Sequence, residues 1–371
     1  MKKIEIKLDG KRSYQVIIGQ NHLDTVGDYL QGMDVGRSVF IITDDKVGKI
    51  YAERLKKIFR KSEFGDVGLA WFPAGEKSKT WKTYLWLLKE LVKFDGGHNK
   101  RILVVNLGGG VVGDVGGFVA ATFRRGIDYV QMPTSLLANV DSGVGGKVGI
   151  DFAGVKNLLG SFYQPKLVFV DLSLLKTLAP KEVRCGLAEV VKYGVISDRK
   201  FFRYLEKNYK DALALNLKVI SPVVVKSYQI KARIVEEDER DTKGIRMILN
   251  YGHTIGHAVE AASDYRYSHG EAVAIGMSCA NDIACNLAIF SRSSARRIEN
   301  LLVKIGLPVR IDRVPLNRIM HFIKYDKKVS AGTNRFVLPV DLGRVVIKKE
   351  IPLALIENVI RQRTSGTTGK I

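Results

Sequence analysis

Three of the six histidines in this chain fall close together, in Gly252-His253-Thr254-Ile255-Gly256-His257 and Ser268-His269-Gly270-Glu271. His253 and His257 stand four apart, the spacing that puts two imidazoles on one helical face and can offer both to one divalent ion. On spacing alone both are ligands, with His269 or a glutamate as the third. A second pattern precedes them. In Gly186-Leu187-Ala188-Glu189-Val190-Val191-Lys192-Tyr193-Gly194 a carboxylate and an ammonium stand three apart in an otherwise apolar run. A buried charge is costly unless paired or metal-bound. Glu189 and Lys192 therefore read equally well as a helix ion pair or as a ligand beside a catalytic cation.

A third pattern concerns phosphate. The apolar run Ile102 to Leu107 leads straight into Gly108-Gly109-Gly110-Val111-Val112-Gly113-Asp114, with Gly116 and Gly117 following. Glycines let a backbone turn tightly at a strand end and approach a pyrophosphate, whose charge then rests on the N–H groups of the next helix. The plainer alternative is a turn that only packs helix to sheet. An acidic ribose-binding residue is expected about 20 residues beyond such glycines, and Asp128 is too near and precedes its strand. Asp44, at the end of an earlier strand, is the better candidate, with Glu76 and Lys79 nearby in sequence. The cofactor is thus expected across several strand ends. Cations recur in glycine-flanked or clustered places: Arg124-Arg125, Lys147, Lys156-Asn157, Lys231, Arg246 and Lys327-Lys328. Together they suggest a pocket for phosphate and carboxylate groups.

The elements that must position these groups divide in two. Ile4 to Leu8 and Tyr14 to Ile18 alternate around Asp9-Gly10, which predicts a hairpin. Strands are predicted at Ser38–Thr43, Val67–Phe72, Ile102–Leu107, Tyr129–Met132 and Leu167–Val170, with helices at Lys46–Arg60 and Glu76–Phe94. Alternating strands and helices imply a doubly wound, mostly parallel sheet. Past Pro180 helical patterns dominate, at roughly 181–196, 217–239, 251–262, 270–290 and 295–305. A late hairpin is predicted over Phe336–Ile347, then a last helix and a frayed tail, Thr364–Ile371. The fold class expected is α/β, with an N-terminal nucleotide-binding domain at 1–178 and a mainly helical metal- and substrate-binding domain at 179–371.

The bulk composition excludes several classes. The chain has 371 residues, 46% hydrophobic and 26% charged, which is ordinary for two globular domains and too apolar for a disordered chain. No run approaches the roughly 18 apolar residues of a membrane span, and residues 1–20 lack the apolar block of a signal peptide, so a cytoplasmic enzyme is expected. The three cysteines lack metal-type spacing and read as reduced, mostly buried thiols. The net charge of +21 is spread along the chain without a nucleic-acid-binding signature, which favours small anionic ligands over nucleic acid.

The ordered series GGGVVGD, FRRG, PTSLLANVDSGVGGK, GVKNLLGSFYQPK, GLAEVVKYG, DERD, LNYGHTIGHAVE, SHGEAVAIGM and DKK resembles the 3-dehydroquinate synthase family of sugar-phosphate cyclases. The resemblance runs from Thr43-Asp44 to Asp326-Lys327. It implies a divalent metal, zinc or cobalt, on Glu189, His253 and His269, which moves His257 from the ligand set to the substrate shell. It implies NAD contacts from Asp44, Glu76, Lys79, Gly110, Val111, Val112, Gly113, Asp114, Thr134, Ser135, Lys147, Lys156 and Leu174, Leu175, Lys176 and Thr177. Catalytic groups would be Lys147, Lys192, Lys231, Arg246, Asn250 and His257. Asp141, Asn157 and Lys327 would bind substrate, with Arg125 reaching in from the second subunit of a homodimer.

The implied reaction turns 3-deoxy-D-arabino-heptulosonate 7-phosphate into 3-dehydroquinate and phosphate, on the shikimate route to aromatic compounds. Three positions depart from the usual pattern: Ser142-Gly143 stands for Ser-Ser, Val148 for Thr, and 241–244 is one residue longer with Asp for Glu. The alternatives are a sister cyclase of the amino-dehydroquinate or sedoheptulose 7-phosphate type, an NAD-dependent polyol dehydrogenase, and a basic binding protein on a dead enzyme scaffold. The run of cations argues against a neutral polyol, and the intact Glu189, His253, His269 set against a dead scaffold.

Overall fold

The computed structural model describes residues 1–97, 99–329 and 333–365, with the side chains of 11, 325–329 and 365 outside the description. The chain forms two compact units, Met1–Leu178 with Lys231–Arg240, and Ala179–Ile230 with Asp241–Ile371. The division falls at Leu178/Ala179, and Lys231–Arg240 group with the first unit.

The first unit is built on a seven-stranded sheet. Its strands are β1 (Lys2–Ile6), β2 (Tyr14–Gly19), β3 (Ser38–Asp44), β4 (Val67–Phe72), β5 (Ile102–Gly108), β6 (Tyr129–Pro133) and β9 (Leu167–Asp171), in the order β1-β2-β9-β6-β5-β3-β4. The β1–β2 pair is antiparallel and every other pairing is parallel. Successive side chains point to opposite faces of a strand. Accordingly Val39 and Ile41 pack with residues of α1 (Val26–Gln31) and α2 (Asp45–Lys61), whereas Phe40 and Ile42 pack with α3 (Trp81–Asp95) and α4 (Gly110–Thr122). The sheet is therefore covered on both faces, as continuous apolar strands require.

Between β6 and β9 lies a separate hairpin, β7 (Lys147–Phe152) with β8 (Val155–Phe162), which the sequence pattern did not predict. Its strands cross closely: a Cβ on Gly160 would meet the Val148 carbonyl oxygen at 2.3 Å, and one on Gly149 the Leu159 oxygen at 2.5 Å. Glu76–Ser78 forms a 3-10 turn, so the helix expected from Glu76 starts later, at Trp81, with the Thr80 hydroxyl accepting from the Thr83 N–H.

The second unit contains α5 (Pro180–Ser197), α6 (Arg199–Leu213), most of α7 (Leu217–Glu237), α8 (His253–Ala262), α9 (His269–Asn286), α10 (Arg292–Ile305), α11 (Leu316–Val329) and α12 (Leu353–Arg363). A hairpin, β11 (Arg335–Asp341) with β12 (Arg344–Lys349), accompanies them. The helices α6 and α11 are additions to the predicted set. Thr364–Ser365, expected to fray, form a short parallel pairing (β13) with Ile311–Asp312 (β10); residues 366–371 of that tail lie outside the described residues.

Among the described residues, no helix is long and apolar enough to cross a membrane. Cys185 and Cys279 are buried and Cys285 half-buried, all as free thiols. Burial pushes the first two up to about 12, which keeps them protonated and unreactive at neutral pH.

Candidate active site

Three helices and one turn build the site of the second unit. Glu189 and Lys192 face the same way from α5, both essentially without solvent exposure, and form an ion pair. The helix α8 cannot start before His253, because Gly252 holds a φ of +82°, a conformation that suits glycine. The helix α9 starts at His269 through a capping box, in which the Ser268 hydroxyl and the Glu271 carboxylate satisfy each other's backbone N–H groups. Close packing then brings α8 against α9. A Cβ on Gly276 would lie 1.8 Å from the Gly252 carbonyl oxygen and 2.8 Å from the Gly256 nitrogen.

This crossing places His253 Nε2 at 3.4 Å and His269 Nε2 at 3.0 Å from Glu189 Oε1. One ligand atom from each of the three residues lies within 4.8 Å of the others. His253 Nδ1 lies 3.2 Å from the Tyr251 carbonyl oxygen; the assignment that satisfies this contact puts the proton on Nδ1 and the lone pair on Nε2. Tyr251 is wholly buried and its hydroxyl donates to Asn281 Oδ1 at 2.5 Å, which fixes that carbonyl. Burial alone would push the Glu189 carboxyl up; the Lys192 ammonium is the largest opposing influence, and the carboxyl is held well below the usual range. A carboxylate and two imidazole nitrogens gathered at one point match the three-ligand donor set of a catalytic divalent ion.

His257 stands apart from that set. It is exposed, its ring centroid lies 5.2 Å from that of His253 and 6.1 Å from that of His269, and its ligand atoms group with Glu260 and His269 and not with Glu189. The pairing of His253 and His257 by helical spacing thus gives way to one decided by α9. Arg246 is buried on the 3-10 turn Ile245–Asn250, and Asn250 is exposed at its end. The side chain of Lys327 lies outside the described residues.

The first unit holds the other expected residues. The helix α4 begins at Gly110 behind Gly109, with no side-chain cap, so its first N–H groups are presented without a competing carboxylate. A Cβ on Gly110 would meet the Ser142 hydroxyl at 3.1 Å, and one on Gly109 the Ser135 hydroxyl at 3.4 Å; backbone and hydroxyls thus share one small cradle. Thr134 is buried beside it, its N–H donating to the Gly108 oxygen at 3.0 Å. Such a terminus fits a pyrophosphate.

Lys79 is buried and donates to Asp114 of α4 at 2.5 Å and to the Asn157 side-chain oxygen. Burial would lower its ammonium; Asp114 and Glu76 outweigh this and raise it. Lys156 lies 3.4 Å from Glu76. Asp44 caps α2 through Oδ1, accepting from the N–H groups of Lys46 and Val47, both at 2.9 Å. Lys231 donates to the Asp141 carboxylate at 2.9 Å and to its carbonyl at 2.7 Å. Lys147 is exposed, with its ammonium 5.9 Å from the Phe162 ring centre. Leu174 to Thr177 lie on a 3-10 segment after β9. Arg125 is exposed with a φ of +64°, while its neighbour Arg124 pairs with Asp95.

Two further residues were given no role from sequence. Ser142 has a solvent-shielded hydroxyl without a hydrogen-bond partner, and Glu260 is a buried carboxylate three residues after His257. Val148, one of the departures from the family pattern, packs in the apolar cluster with Val115, Val119 and Tyr129. Its side chain faces the core, so a hydroxyl there is not a substrate contact.

The family model described as 3-dehydroquinate synthase N-terminal matches residues 69–185, and the one described as 3-dehydroquinate synthase C-terminal matches 186–329. The chain belongs to the 3-dehydroquinate synthase family. A 3-dehydroquinate synthase of Desulforamulus reducens is 44% identical over 98% of this chain and 100% of its own length. That of Caldanaerobacter subterraneus subsp. tengcongensis is 46% identical over 93% and 95%. Among solved structures, a 2-deoxy-scyllo-inosose synthase complexed with carbaglucose-6-phosphate, NAD+ and Co2+ superposes with a TM-score of 0.87 at 27% identity, covering 98% of this chain and 100% of that one. An iron-containing alcohol dehydrogenase, 14% identical with a TM-score of 0.68 over 94% of this chain and 97% of its own, shares the fold. The two family matches thus reach into both units of the chain.

Proposed function

We propose that the chain is a phosphate-eliminating lyase that converts 3-deoxy-D-arabino-heptulosonate 7-phosphate to 3-dehydroquinate and phosphate, with NAD and a divalent ion, zinc or cobalt, as resident cofactors. The observation that carries this reading is the wholly buried Glu189, whose Oε1 meets two imidazole Nε2 atoms while Lys192 balances its other oxygen. Family membership and identities of 44–46% to relatives of that name support the substrate.

Glu189, His253 and His269 would hold the ion, which when bound lowers the pKa of a coordinated substrate hydroxyl. NAD, held at the α4 terminus, would supply reversible hydride acceptance and so would serve as a catalyst and not a consumed reagent. The chain's own groups do the rest. The N–H groups of Gly110, Val111 and Val112 hold the pyrophosphate against the α4 terminus. Asp44, with Oδ1 committed to capping, offers Oδ2 to ribose hydroxyls, and Lys79 anchors the wall formed by Asp114 and Asn157. Lys147, Lys156, Glu76, Thr134, Ser135 and Leu174 to Thr177 complete the nucleotide contacts.

Lys192, Lys231 and Arg246 are buried cations, and a buried cation without water interacts strongly with a dianionic phosphate and a carboxylate. In the second unit Lys192 and Arg246, with Asn250 and Lys327, are the groups for one charged end of the substrate and for charge on the departing phosphate; in the first unit Lys231, with Asp141 and Asn157, is the group for polar ends of the substrate. His257, exposed and one helical turn from His253, is placed to move a proton at its imidazole nitrogens. Holding the substrate in one conformer favours internal aldol closure over side reactions. The enzyme acts in the cytoplasm as a homodimer, with exposed Arg125 supplied by the neighbouring subunit.

A substrate panel tests the specificity. Purified protein loaded with zinc and NAD releases inorganic phosphate from the heptulosonate 7-phosphate at least about 10²-fold faster, in kcat/KM, than from sedoheptulose 7-phosphate or the amino analogue, because their charged ends differ by a carboxylate or an ammonium whose mispairing costs about 3 kcal/mol. Equal or reversed preference points to a sister cyclase.

A further inference from the structure

The His269 ring stands between two buried carboxylates. Its Nε2 lies 3.0 Å from Glu189 Oε1, and its Nδ1 lies 4.0 Å from Glu260 Oε2. Glu260 is 5% exposed and sits on α8 with His253 and His257 at positions seven and three residues earlier, so one face of that helix carries all three. One ligand atom each from His257, Glu260 and His269 also lies within 4.8 Å of the others. An imidazole offers its two nitrogens in opposite directions and can turn only one lone pair toward an ion.

We propose that Glu260 is a positioning residue of the metal centre, which sets the tautomer and orientation of His269. This inference rests on the assignment of the ion to Glu189, His253 and His269. At 4.0 Å the contact lies in ion-pair range, beyond a direct hydrogen bond, so the carboxylate acts through its field on the Nδ1 side of the ring. In a buried setting that field is strong. It favours the proton on Nδ1, leaves the lone pair on Nε2 toward Glu189, and raises the basicity of the ligand nitrogen, as outer carboxylates do for metal-bound histidines.

The same task at His253 falls to a neutral acceptor, the Tyr251 carbonyl oxygen at 3.2 Å. The two histidine ligands are thus oriented by different chemistry. His257 borders the same carboxylate, so Glu260 also links the metal site to the residue assigned to proton transfer.

The test measures zinc affinity of the full chain by chelator competition, with circular dichroism to confirm folding. Glu260→Ala should weaken zinc binding about 10- to 100-fold. Glu260→Gln keeps the shape and an acceptor oxygen but not the charge, and should fall between parent and alanine variant. Glu189→Gln, run in parallel, should bind no zinc at micromolar concentration. Unchanged affinity in folded Glu260→Gln, with Glu189→Gln metal-free, overturns the inference and leaves the metal assignment standing. A loss in Glu260→Gln as complete as in Glu189→Gln also overturns it, since Glu260 would then itself be a ligand. Zinc retained by Glu189→Gln overturns the assignment on which the inference rests.

Discussion

Glu189→Gln is expected to purify without its divalent ion and to lose at least about 10³-fold in turnover, equivalent to about 4 kcal/mol of transition-state stabilisation. The glutamine keeps the volume and removes the charge that two imidazoles and an ammonium share. Its second effect is on the fold. Lys192 is 1% exposed, so neutralising Glu189 takes away one half of a buried ion pair, a change that costs about 3–5 kcal/mol. The metal-free variant should therefore melt earlier than metal-free parent protein. His257→Ala provides the contrast: the ion stays and turnover falls about 10²- to 10⁴-fold, the range of general acid–base catalysis. Elemental analysis of both variants checks the pair of outcomes. Loss of metal in His257→Ala would return the ligand set to the two histidines of α8.

Gly276→Ala should have the next largest effect, on stability. The added methyl would stand 1.8 Å from one backbone atom and 2.8 Å from another, and backbone inside two packed helices cannot swing aside as a side chain can. We expect a loss of about 3 kcal/mol or more, which lowers Tm by roughly 6–12 °C for a unit of this size. Because the same crossing sets the approach of His253 to His269, zinc affinity should fall with it. Gly65→Ala is the control, since its Cβ would meet nothing closer than the Arg37 oxygen at 3.7 Å. Scanning calorimetry decides; a Tm within 2 °C of the parent, expected for Gly65→Ala, would contradict the packing argument if Gly276→Ala showed it (about 0.5 kcal/mol).

Much of this was legible from residues in order. The parallel sheet announced itself because strands buried on both faces are continuous apolar runs, as Ile102–Leu107 and Ser38–Thr43 are. The glycine loop, the Glu189–Lys192 pair and the histidine cluster were visible as types and spacing. What spacing could not supply was the choice among imidazoles. Helical periodicity puts His253 and His257 on one face, but the partner of Glu189 is selected by where α9 crosses, which depends on Gly252, Gly256 and Gly276.

The β7–β8 hairpin was missed for another reason: most of β8 is exposed on both faces, so it shows no apolar alternation. The helix α6 did carry a signal. Asp198 caps it, and Phe201, Leu205 and Ala212 repeat at helical spacing. Asp44, read from sequence as a ribose candidate, is a helix cap through Oδ1, a role that its place at a strand end before α2 could have suggested.

The central claim is that oxidation and reduction by one bound NAD frame a loss of phosphate. It is tested most directly by mixing zinc-loaded protein, excess heptulosonate 7-phosphate and substoichiometric NAD, then counting inorganic phosphate while following absorbance of NADH. The account predicts many phosphates per NAD, about 10² or more over minutes at ordinary turnover numbers, with no net NADH. NADH accumulating in step with substrate consumed, and phosphate staying esterified, would contradict it.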